Sequence, residues 1–526
     1  MKLTKVLLIV LISFVLNSCF DADDELSGPS GFFWDYENMD EVEEVMGQQF
    51  QSWWNATQKN YPGPAMSVMS MEFVSPYATY GMYDMARIPR EEFQNDQNYT
   101  YHHIVSSPWN VLYETIAVAN RALIDHNDGN FDYESDAQEW RLRSWANFIQ
   151  GLSFAALANQ FDQAIQIDED TDVIDRETGQ IRIPATFRDY DQLMEFATTK
   201  FESARIKAQT EDITIPAEWL GGNELDSDEF VKLINTLEAR FLVQNARDWD
   251  ERTELNWERI RQLAEDGIEE SFYIENDGDQ WWSRIHQLAS DPDWVKAGYG
   301  VIGLYDESGQ ADEWFNSSVE ERSPVEIQNP DLRIQSNADE DVDDPYITFA
   351  DNPGFPGISR EGYLKSHYAF NRSEMDYIRF INPSELDLYI AESILQEYEG
   401  SRQTVSNSYN YVNKTRAESG GLEELDVNSG WEKVYDAMRY EFIMETMVTA
   451  AGMHYFNTRS WGNFQEKDWG ALPEGTPQHF PVPAAEMNVL DRAPYTFGGS
   501  EFMQPLPAVI LESMNAASDR NSAVRR

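Results

Sequence analysis

The chain has 526 residues, 13% of them aromatic, and its 93 acidic against 39 basic residues give a net charge of −54. This length allows two or three domains, and so acidic a surface repels nucleic acid and anionic lipid, so neither is an expected partner. Cys19 is the only cysteine, which excludes an intramolecular disulfide and a metal site built from cysteines.

Residues 1–18 have the pattern of a lipoprotein signal peptide. Two lysines precede residues 7–16, an apolar run that is too short to span a bilayer as a helix. The sequence Leu16-Asn17-Ser18-Cys19 resembles a bacterial lipobox, in which cleavage precedes a cysteine that becomes lipid-modified. We therefore expect lipidation at Cys19 and a flexible acidic leash over residues 19–36. The alternative is an ordinary secretory signal with an incidental cysteine.

Apolar residues at helical spacing, together with capping signals, predict a mostly α chain built from helix pairs. Helices are expected to start near Met39, at Ser107 with Pro108 in the first turn, near Asp136, at Thr186, Asp226, Asn382 and Ser429. The pairs then occupy about 107–161, 186–250, 382–420 and 429–451. The 382–420 pair has the length of one tetratricopeptide-type repeat, roughly 34 residues.

Two details of the first pair carry structural expectations. Asn120 lies on the apolar face of its helix and is expected to satisfy a neighbouring backbone group, because an unpaired buried amide is costly. Gly151 and the alanines that follow it should let another helix approach closely.

The periodicity is lost over residues 271–373, which are rich in Gly, Pro, Asp and aromatic residues. Long irregular segments inside a compact protein tend to carry function. We therefore predict a single domain over residues 37–526, with this insertion on its ligand face.

Motifs for catalysis, metals and cofactors do not emerge, and we predict a protein that is not an enzyme. Residues 298–303 match GxGxxG, but a dinucleotide site needs a strand–turn–helix unit, and residues 306–309 would break the helix. Asp168, Asp170 and Asp172 alternate without the glycine and closing glutamate of a calcium loop. No two of the 93 acids are marked out as a glycosidase pair, so a hydrolase is a remote alternative.

Aromatic residues in the irregular segments are the best candidates for ligand contact, because sugar rings stack on flat apolar platforms. The alternative for each of them is a place in the core. The candidates are Tyr80, Tyr83, Tyr99 and Tyr101, with Tyr77 beside them, and Trp281, Trp282, Trp294 and Tyr299.

Several motifs in chain order resemble the SusD/RagB family of outer-membrane nutrient-binding lipoproteins. After the lipobox they are the helix with Trp109, Leu112, Tyr113, Ile116, Ala119 and Asn120, the pair Ala391-Glu392, the pattern Asn413, Arg416 and Gly420, the block Phe456, Trp461 and Gly462, and the segment Pro481, Val482, Pro483 and Glu486. Glu418, His454 and Asn457 depart from the family pattern. These departures indicate a divergent branch, whose substrate should not be copied from starch-binding members.

The resemblance implies a right-handed α-superhelical scaffold of tetratricopeptide-like helix pairs with large irregular loop insertions. It implies a surface-exposed protein, held in the outer membrane by its lipid, that binds oligosaccharide or polysaccharide without cofactors. In the family the helix pairs pack against a SusC-like TonB-dependent transporter, over which the protein closes as a lid. A peptide-capturing lid of the same kind and an envelope scaffold remain alternatives.

Overall fold

The computed structural model describes residues 38–75, 77–87, 90–171, 186–318, 321–350, 366–371, 376–397, 405–461 and 469–499. The predicted signal peptide, the lipidation site Cys19, the leash and the motif residue Gly462 lie outside these ranges. Within them helices predominate, as the apolar spacing predicted.

The helices, in chain order, are α1 (Met39–Gly47), α2 (Gln49–Trp54), α3 (Gly63–Met69), α4 (Met82–Met85), α5 (His103–Asn127), α6 (Asp136–Gln160), α7 (Tyr190–Ala208), α8 (Ser227–Asn245), α9 (Trp249–Glu254), α10 (Trp257–Glu265), α11 (Arg284–Ala289), α12 (Tyr299–Tyr305), α13 (Gln310–Asn316), α14 (Ser384–Glu397), α15 (Ser408–Arg416), α16 (Trp431–Thr446), α17 (Met453–Trp461) and α18 (Ala484–Val489). A π-helical turn (Asn55–Lys59) continues α2, and 3-10 turns cover Thr79–Gly81 and Ala217–Leu220. Among the helices described, none has the length and apolar character needed to cross a membrane.

Short strands join the irregular segments in antiparallel pairs. They are β1 (Phe73–Val74) with β7 (Lys296–Ala297), β2 (Gln163–Ile165) with β3 (Phe187–Asp189), β4 (Thr214–Ile215) with β5 (Leu225–Asp226), β6 (Phe272–Glu275) with β10 (Tyr377–Ile381), and β8 (Ile347–Phe349) with β9 (Tyr368–Phe370). The β6–β10 pair joins the two ends of the long insertion, with Tyr377 opposite Glu275.

Capping side chains set the starts of several helices where the sequence predicted them. Ser135 caps α6, and Asp226 and Glu229 form a capping box at α8, with N–H to carboxylate distances of 2.9 and 3.0 Å. For α7 the predicted start at Thr186 is wrong by several residues. Residues 187–189 pair as β3 instead, and Asp189 becomes the cap.

Two other predicted starts are wrong. Helix α5 begins at His103 rather than at Ser107, because the N–H of Ser106 finds the carbonyl of His102 and extends the helix upstream of Pro108. Helix α16 begins after Gly430, whose φ of +81° ends the preceding turn. Ser429 accepts the N–H of Asp426 at 2.8 Å, so it forms part of that turn and does not cap the helix.

Successive helices pack side by side, and their buried apolar residues form one continuous cluster. Helix α5 packs on α6, α6 on α7 and α7 on α8, while α14 packs on α10, α15 and α16. Gly151 permits the close approach of α6 and α7 that was predicted, because a Cβ there would lie 2.8 Å from the ring of Phe201.

Buried ion pairs join α14 to α8 and α9. Arg240 on α8 binds Glu385 at 2.9 Å, and Arg252 on α9 binds Glu392 at 2.6 and 2.7 Å, with all four side chains at most 3% exposed. Glu385 and Glu392 are seven residues apart, which is about two helical turns, so they leave the same face of α14. Glu385, three residues after the predicted helix start at Asn382, therefore serves a tertiary contact.

The motif residues of the predicted family resemblance make internal contacts. Asn120 donates to the carbonyl of Ile167 at 3.0 Å, which confirms the expected bond to a backbone group. Asn413 exchanges two hydrogen bonds with the backbone of Leu425, at 2.8 and 2.9 Å. A Cβ on Gly420 would lie 2.7 Å from Nη2 of Arg333. The motifs therefore record packing requirements of the scaffold.

The ion pair on α14 gives a stability prediction. Glu392→Gln leaves the Arg252 charge buried without a counterion, and we expect the free energy of unfolding to fall by about 3–5 kcal/mol. Urea unfolding followed by circular dichroism measures the change. The double variant Arg252→Met/Glu392→Leu should recover most of the loss.

The matched control is Glu269→Gln, which removes an exposed partner of Lys232 and should leave the unfolding midpoint unchanged, because water screens exposed pairs. If Glu392→Gln and Glu269→Gln lowered the free energy of unfolding by equally small amounts, the buried pair would not be a major source of stability.

Candidate functional site

The two aromatic stretches singled out in the sequence lie side by side in the structure. Strand β1 pairs with β7, so Phe73 lies opposite Ala297. The hydroxyl of Ser75 donates to the carbonyl of Trp294 at 3.0 Å across 219 residues of sequence. The segment that follows α3 is therefore fastened to the first part of the long insertion.

At one end of this junction Tyr77 packs against Trp294. Their ring centroids are 4.8 Å apart, and the rings are tilted by 41° relative to each other. The two residues are 43% and 40% exposed, which is unusual for large aromatic residues in this structure. The pair presents apolar ring surface to solvent.

At the other end the Arg284 guanidinium lies over two rings, 4.7 Å from the centroid of Tyr80 and 4.2 Å from that of Trp282. Tyr61 approaches Tyr80 with a centroid distance of 5.5 Å, and Lys59 lies 5.7 Å from the Trp282 ring. These side chains are half-buried, so one face of the group remains accessible.

We call Tyr61, Tyr77, Tyr80, Trp282 and Trp294 the aromatic strip. Tyr77 and Tyr80 connect its two ends, because three residues of chain can separate their Cα atoms by at most about 10 Å. The strip therefore combines two exposed and three half-buried aromatic side chains from three segments distant in sequence.

Local structure explains why the strip residues face outward. Trp281 is buried against Phe50 and Trp54, with ring centroids at 6.0 and 6.1 Å. Trp54 also donates its indole N–H to the carbonyl of Trp282 at 2.8 Å. Because Trp281 is anchored in the core, the side chain of the next residue, Trp282, is turned toward the surface.

The structure corrects three of the eight predicted ligand residues, because Tyr99, Trp281 and Tyr299 are buried. Burial raises the pKa of Tyr99, whose hydroxyl donates to Asp84 at 2.6 Å. Tyr299 stacks on Trp314, with centroids 3.6 Å apart. These three residues belong to the core, which was the stated alternative.

Two further predicted residues, Tyr83 and Tyr101, are half-buried beside the strip rather than within it. Arg87 covers the ring of Tyr83 at 5.2 Å, and Tyr101 packs edge-on against Tyr99 at 5.6 Å. Tyr80, Trp282 and Trp294 are thus the predicted residues that the structure brings together on the surface.

Sequence reasoning missed Tyr61, Lys59, Asn60 and Arg284. Asn60 accepts a hydrogen bond from Nη2 of Arg284 at 2.9 Å, and Lys59 donates to the carbonyl of Asp279 at 2.9 Å. The run of turn-forming residues after Tyr61 was the available signal, since it ends the helical pattern and exposes the residues before it.

The GxGxxG match owes its glycines to packing. A Cβ on Gly298 would lie 2.0 Å from the carbonyl oxygen of Met71, and a Cβ on Gly303 would lie 2.1 Å from the ring of Trp469. The preceding strand β7 pairs antiparallel with β1, whereas a dinucleotide fold requires a parallel unit. Each glycine accommodates a neighbour, and the motif carries no nucleotide site.

Within the part of the chain that is described, no group of three or more His, Cys, Asp or Glu side chains is arranged to hold a metal ion. Asp168 accepts the hydroxyl of Thr171 at 2.6 Å, so this carboxylate takes part in a local turn. The arrangement of the strip suits stacking and hydrogen bonding rather than covalent chemistry.

Comparison with known proteins connects this architecture to one fold. No protein-family model matches the chain, and no curated protein matches it. A SusD superfamily protein from Parabacteroides distasonis is 11% identical with a TM-score of 0.57, covering 88% of this chain and 99% of that one. A SusD superfamily protein from Bacteroides vulgatus is 13% identical with a TM-score of 0.53, covering 85% and 96%.

A third solved structure, from Bacteroides fragilis, is described as a SusD-like carbohydrate-binding protein. It is 13% identical with a TM-score of 0.51, covering 80% of this chain and 86% of that one. The chain therefore has the SusD-like fold, which confirms at the level of fold the resemblance carried by the sequence motifs.

Glu72 is a buried carboxyl that immediately precedes β1. Its carbonyl accepts the N–H of Gly298 at 2.6 Å, and its carboxyl accepts the N–H of Val448 at 3.3 Å. Burial raises the pKa of Glu72 to about 7. The folded state therefore favours the protonated carboxyl.

The pKa of Glu72 in the folded protein lies above its unfolded value of 4.5. The contribution of Glu72 to the free energy of unfolding is therefore fully present below pH 4.5 and is lost as the pH rises to about 7. Glu72→Gln mimics the protonated form, so relative to the native chain it should gain roughly 3 kcal/mol of stability across that window. Urea unfolding of both proteins from pH 4 to pH 8 tests this. A difference that stays constant with pH would contradict the assignment.

Proposed function

We propose that this chain, which has the SusD-like fold, is a cell-surface lipoprotein that captures oligosaccharide and delivers it to a SusC-like TonB-dependent transporter. The observation that carries the proposal is the aromatic strip. Its exposed rings lie on irregular segments, while the aromatic residues of the helices are mostly buried.

The chemistry of the strip suits a sugar. The C–H faces of a sugar ring are apolar enough to stack on Tyr77, Trp294 and Trp282, and the amide of Asn60 lies within the same group of side chains as an acceptor or donor for hydroxyls. Stacking on rigid aromatic rings costs little conformational entropy, because the rings are already held by their neighbours. The carbohydrate-binding protein from Bacteroides fragilis with the same fold supports a sugar ligand.

The proposed location follows from the N-terminal sequence. The lipobox-like segment ending at Cys19 would attach the chain to the outer membrane, and the acidic residues after it would act as a leash. The stacked helices α5–α10 and α14–α16 would then face the transporter, leaving the insertion and its strip toward the incoming ligand.

The strip gives a binding prediction. Trp282→Ala and Trp294→Ala should each weaken binding to the preferred polysaccharide by about 10- to 100-fold, because a central aromatic contact contributes about 2 kcal/mol or more. Affinity gel electrophoresis over a panel of soluble polysaccharides finds the ligand, and isothermal titration calorimetry then measures each variant.

The control is Trp140→Ala on α6, a half-buried tryptophan beneath Arg143 that belongs to the helical scaffold. It should leave affinity unchanged. If no polysaccharide binds the native protein while peptides do, the glycan proposal fails in favour of a peptide-capturing lid.

The anchor gives a second prediction. Cys19→Ser removes the only residue that can be lipid-modified at the lipobox, so the protein should move from the outer-membrane fraction to the soluble fraction. Metabolic labelling with a radioactive fatty acid should mark the native chain but not the variant. Co-purification of the native chain from membranes tests the partner, and recovery of envelope proteins other than a transporter would favour the scaffold alternative.

A further inference from the structure

Arg284 is half-buried, and its partners differ from those of the arginines that the structure buries fully. The buried guanidinium groups of Arg240, Arg252 and Arg333 each bind at least one carboxylate. Arg247 and Arg459 bind sets of backbone carbonyls instead. The fold therefore compensates its interior arginines either with charge or with several carbonyl oxygens.

Arg284 receives neither form of compensation from the described residues. Its Nη2 donates to the side-chain oxygen of Asn60 at 2.9 Å, and its Nη1 donates to that of Gln287. Its Nε–H is buried and has no acceptor in the described part of the chain, and no carboxylate lies within ion-pair distance there. The partners of this cation are two neutral amides and two aromatic rings.

This arrangement is costly for the protein alone. Burial lowers the pKa of Arg284, which means that the charged form loses more hydration than its neighbours restore. The chain has 93 acidic residues with which to supply a counterion. Asp277, which precedes Arg284 in the same segment, accepts the backbone N–H groups of Asp279 and Trp281 with its carboxylate at 2.8 and 2.9 Å.

Lys59 adds a second positive charge at the same end of the strip. Its ammonium group lies 5.7 Å from the ring of Trp282, whose centroid is also 4.2 Å from the Arg284 guanidinium. An otherwise strongly acidic molecule thus places two cations around one half-exposed tryptophan. A ligand that stacks on Trp282 would meet both charges.

We propose that the captured glycan is acidic, and that Arg284, assisted by Lys59, binds its carboxylate or sulfate groups while Trp282 stacks on the sugar ring. The inference rests on the proposed function and names the substrate class of the same site. A guanidinium is suited to this role because its planar donors match the oxygens of a carboxylate or sulfate. The cations also give an acidic polymer a local target on a surface that otherwise repels it.

The test is calorimetric titration of the purified full-length lipoprotein in detergent with four probes. Polygalacturonate supplies carboxylates, a sulfated galactan supplies sulfates, an unsubstituted galactan is neutral, and polyglutamate is an acidic peptide. We expect one of the two acidic polysaccharides to bind at least about tenfold more tightly than the neutral one, with affinity that falls as salt is added. Which of the two binds distinguishes carboxylate from sulfate.

Arg284→Gln should weaken binding of that acidic polysaccharide by roughly 10- to 100-fold, as expected for a lost hydrogen bond to a charged group. It should leave neutral polysaccharide binding unchanged. Arg284→Lys should bind with intermediate affinity, and Lys59→Gln should weaken binding by a smaller factor. The matched control is Arg143→Gln, since Arg143 also lies over a tryptophan, 4.3 Å from the centroid of Trp140, but outside the strip. Thermal unfolding checks that each variant is folded.

Two results would overturn the inference in distinguishable ways. Binding of the neutral polysaccharide alone, with affinity unaffected by Arg284→Gln, would remove the acidic ligand and leave glycan capture intact. Binding of polyglutamate but of no polysaccharide would overturn both the inference and the proposed function. Both would also be overturned if the protein bound none of the four probes and no member of a wider polysaccharide panel.

Discussion

The ion pairs between α14 and the α8–α9 segment are the constraint on which the rest of the structure depends. Arg240 and Arg252 are taken out of water, and Glu385 and Glu392, two turns apart on one helix face, supply the opposite charges that offset that cost. Helices α8 and α9 precede the long insertion and α14 follows it. The two pairs therefore hold both ends of the insertion against the helical scaffold, and β6 with β10 close its base.

The aromatic strip follows from that fixed base. The insertion returns to the segment after α3 through the β1–β7 pairing, and this contact brings Tyr77 to Trp294 and Tyr80 to Arg284. An exposed aromatic surface is stable here because each ring is held by a neighbour, while the adjacent Trp281 fills the core. The scaffold supplies rigidity, and irregular backbone supplies the orientation of the rings.

Several parts of this arrangement could be read from the sequence because they rest on local interactions. The capping box of Asp226 and Glu229 involves residues three apart, so spacing alone predicts it. The starts of α5, α7 and α16 were misplaced where a longer-range or backbone contact prevailed, as with residues 187–189, which pair with β2. The family motifs indicated the SusD-like fold, since described residues of several of them, such as Asn120, Glu392 and Asn413, make packing contacts of the scaffold.

The sequence by itself determined the helical class, the place of the insertion, the family resemblance and the concentration of aromatic residues in two irregular stretches. Only the tertiary structure decided which of those aromatic residues are exposed. Trp281 and Trp282 are adjacent residues of the same type, but Trp281 is buried against Trp54 and Phe50 while Trp282 is only half-buried. The sequence likewise cannot show that Arg284 has two neutral amides and no carboxylate as partners among the described residues, because a counterion depends on what surrounds a side chain in space.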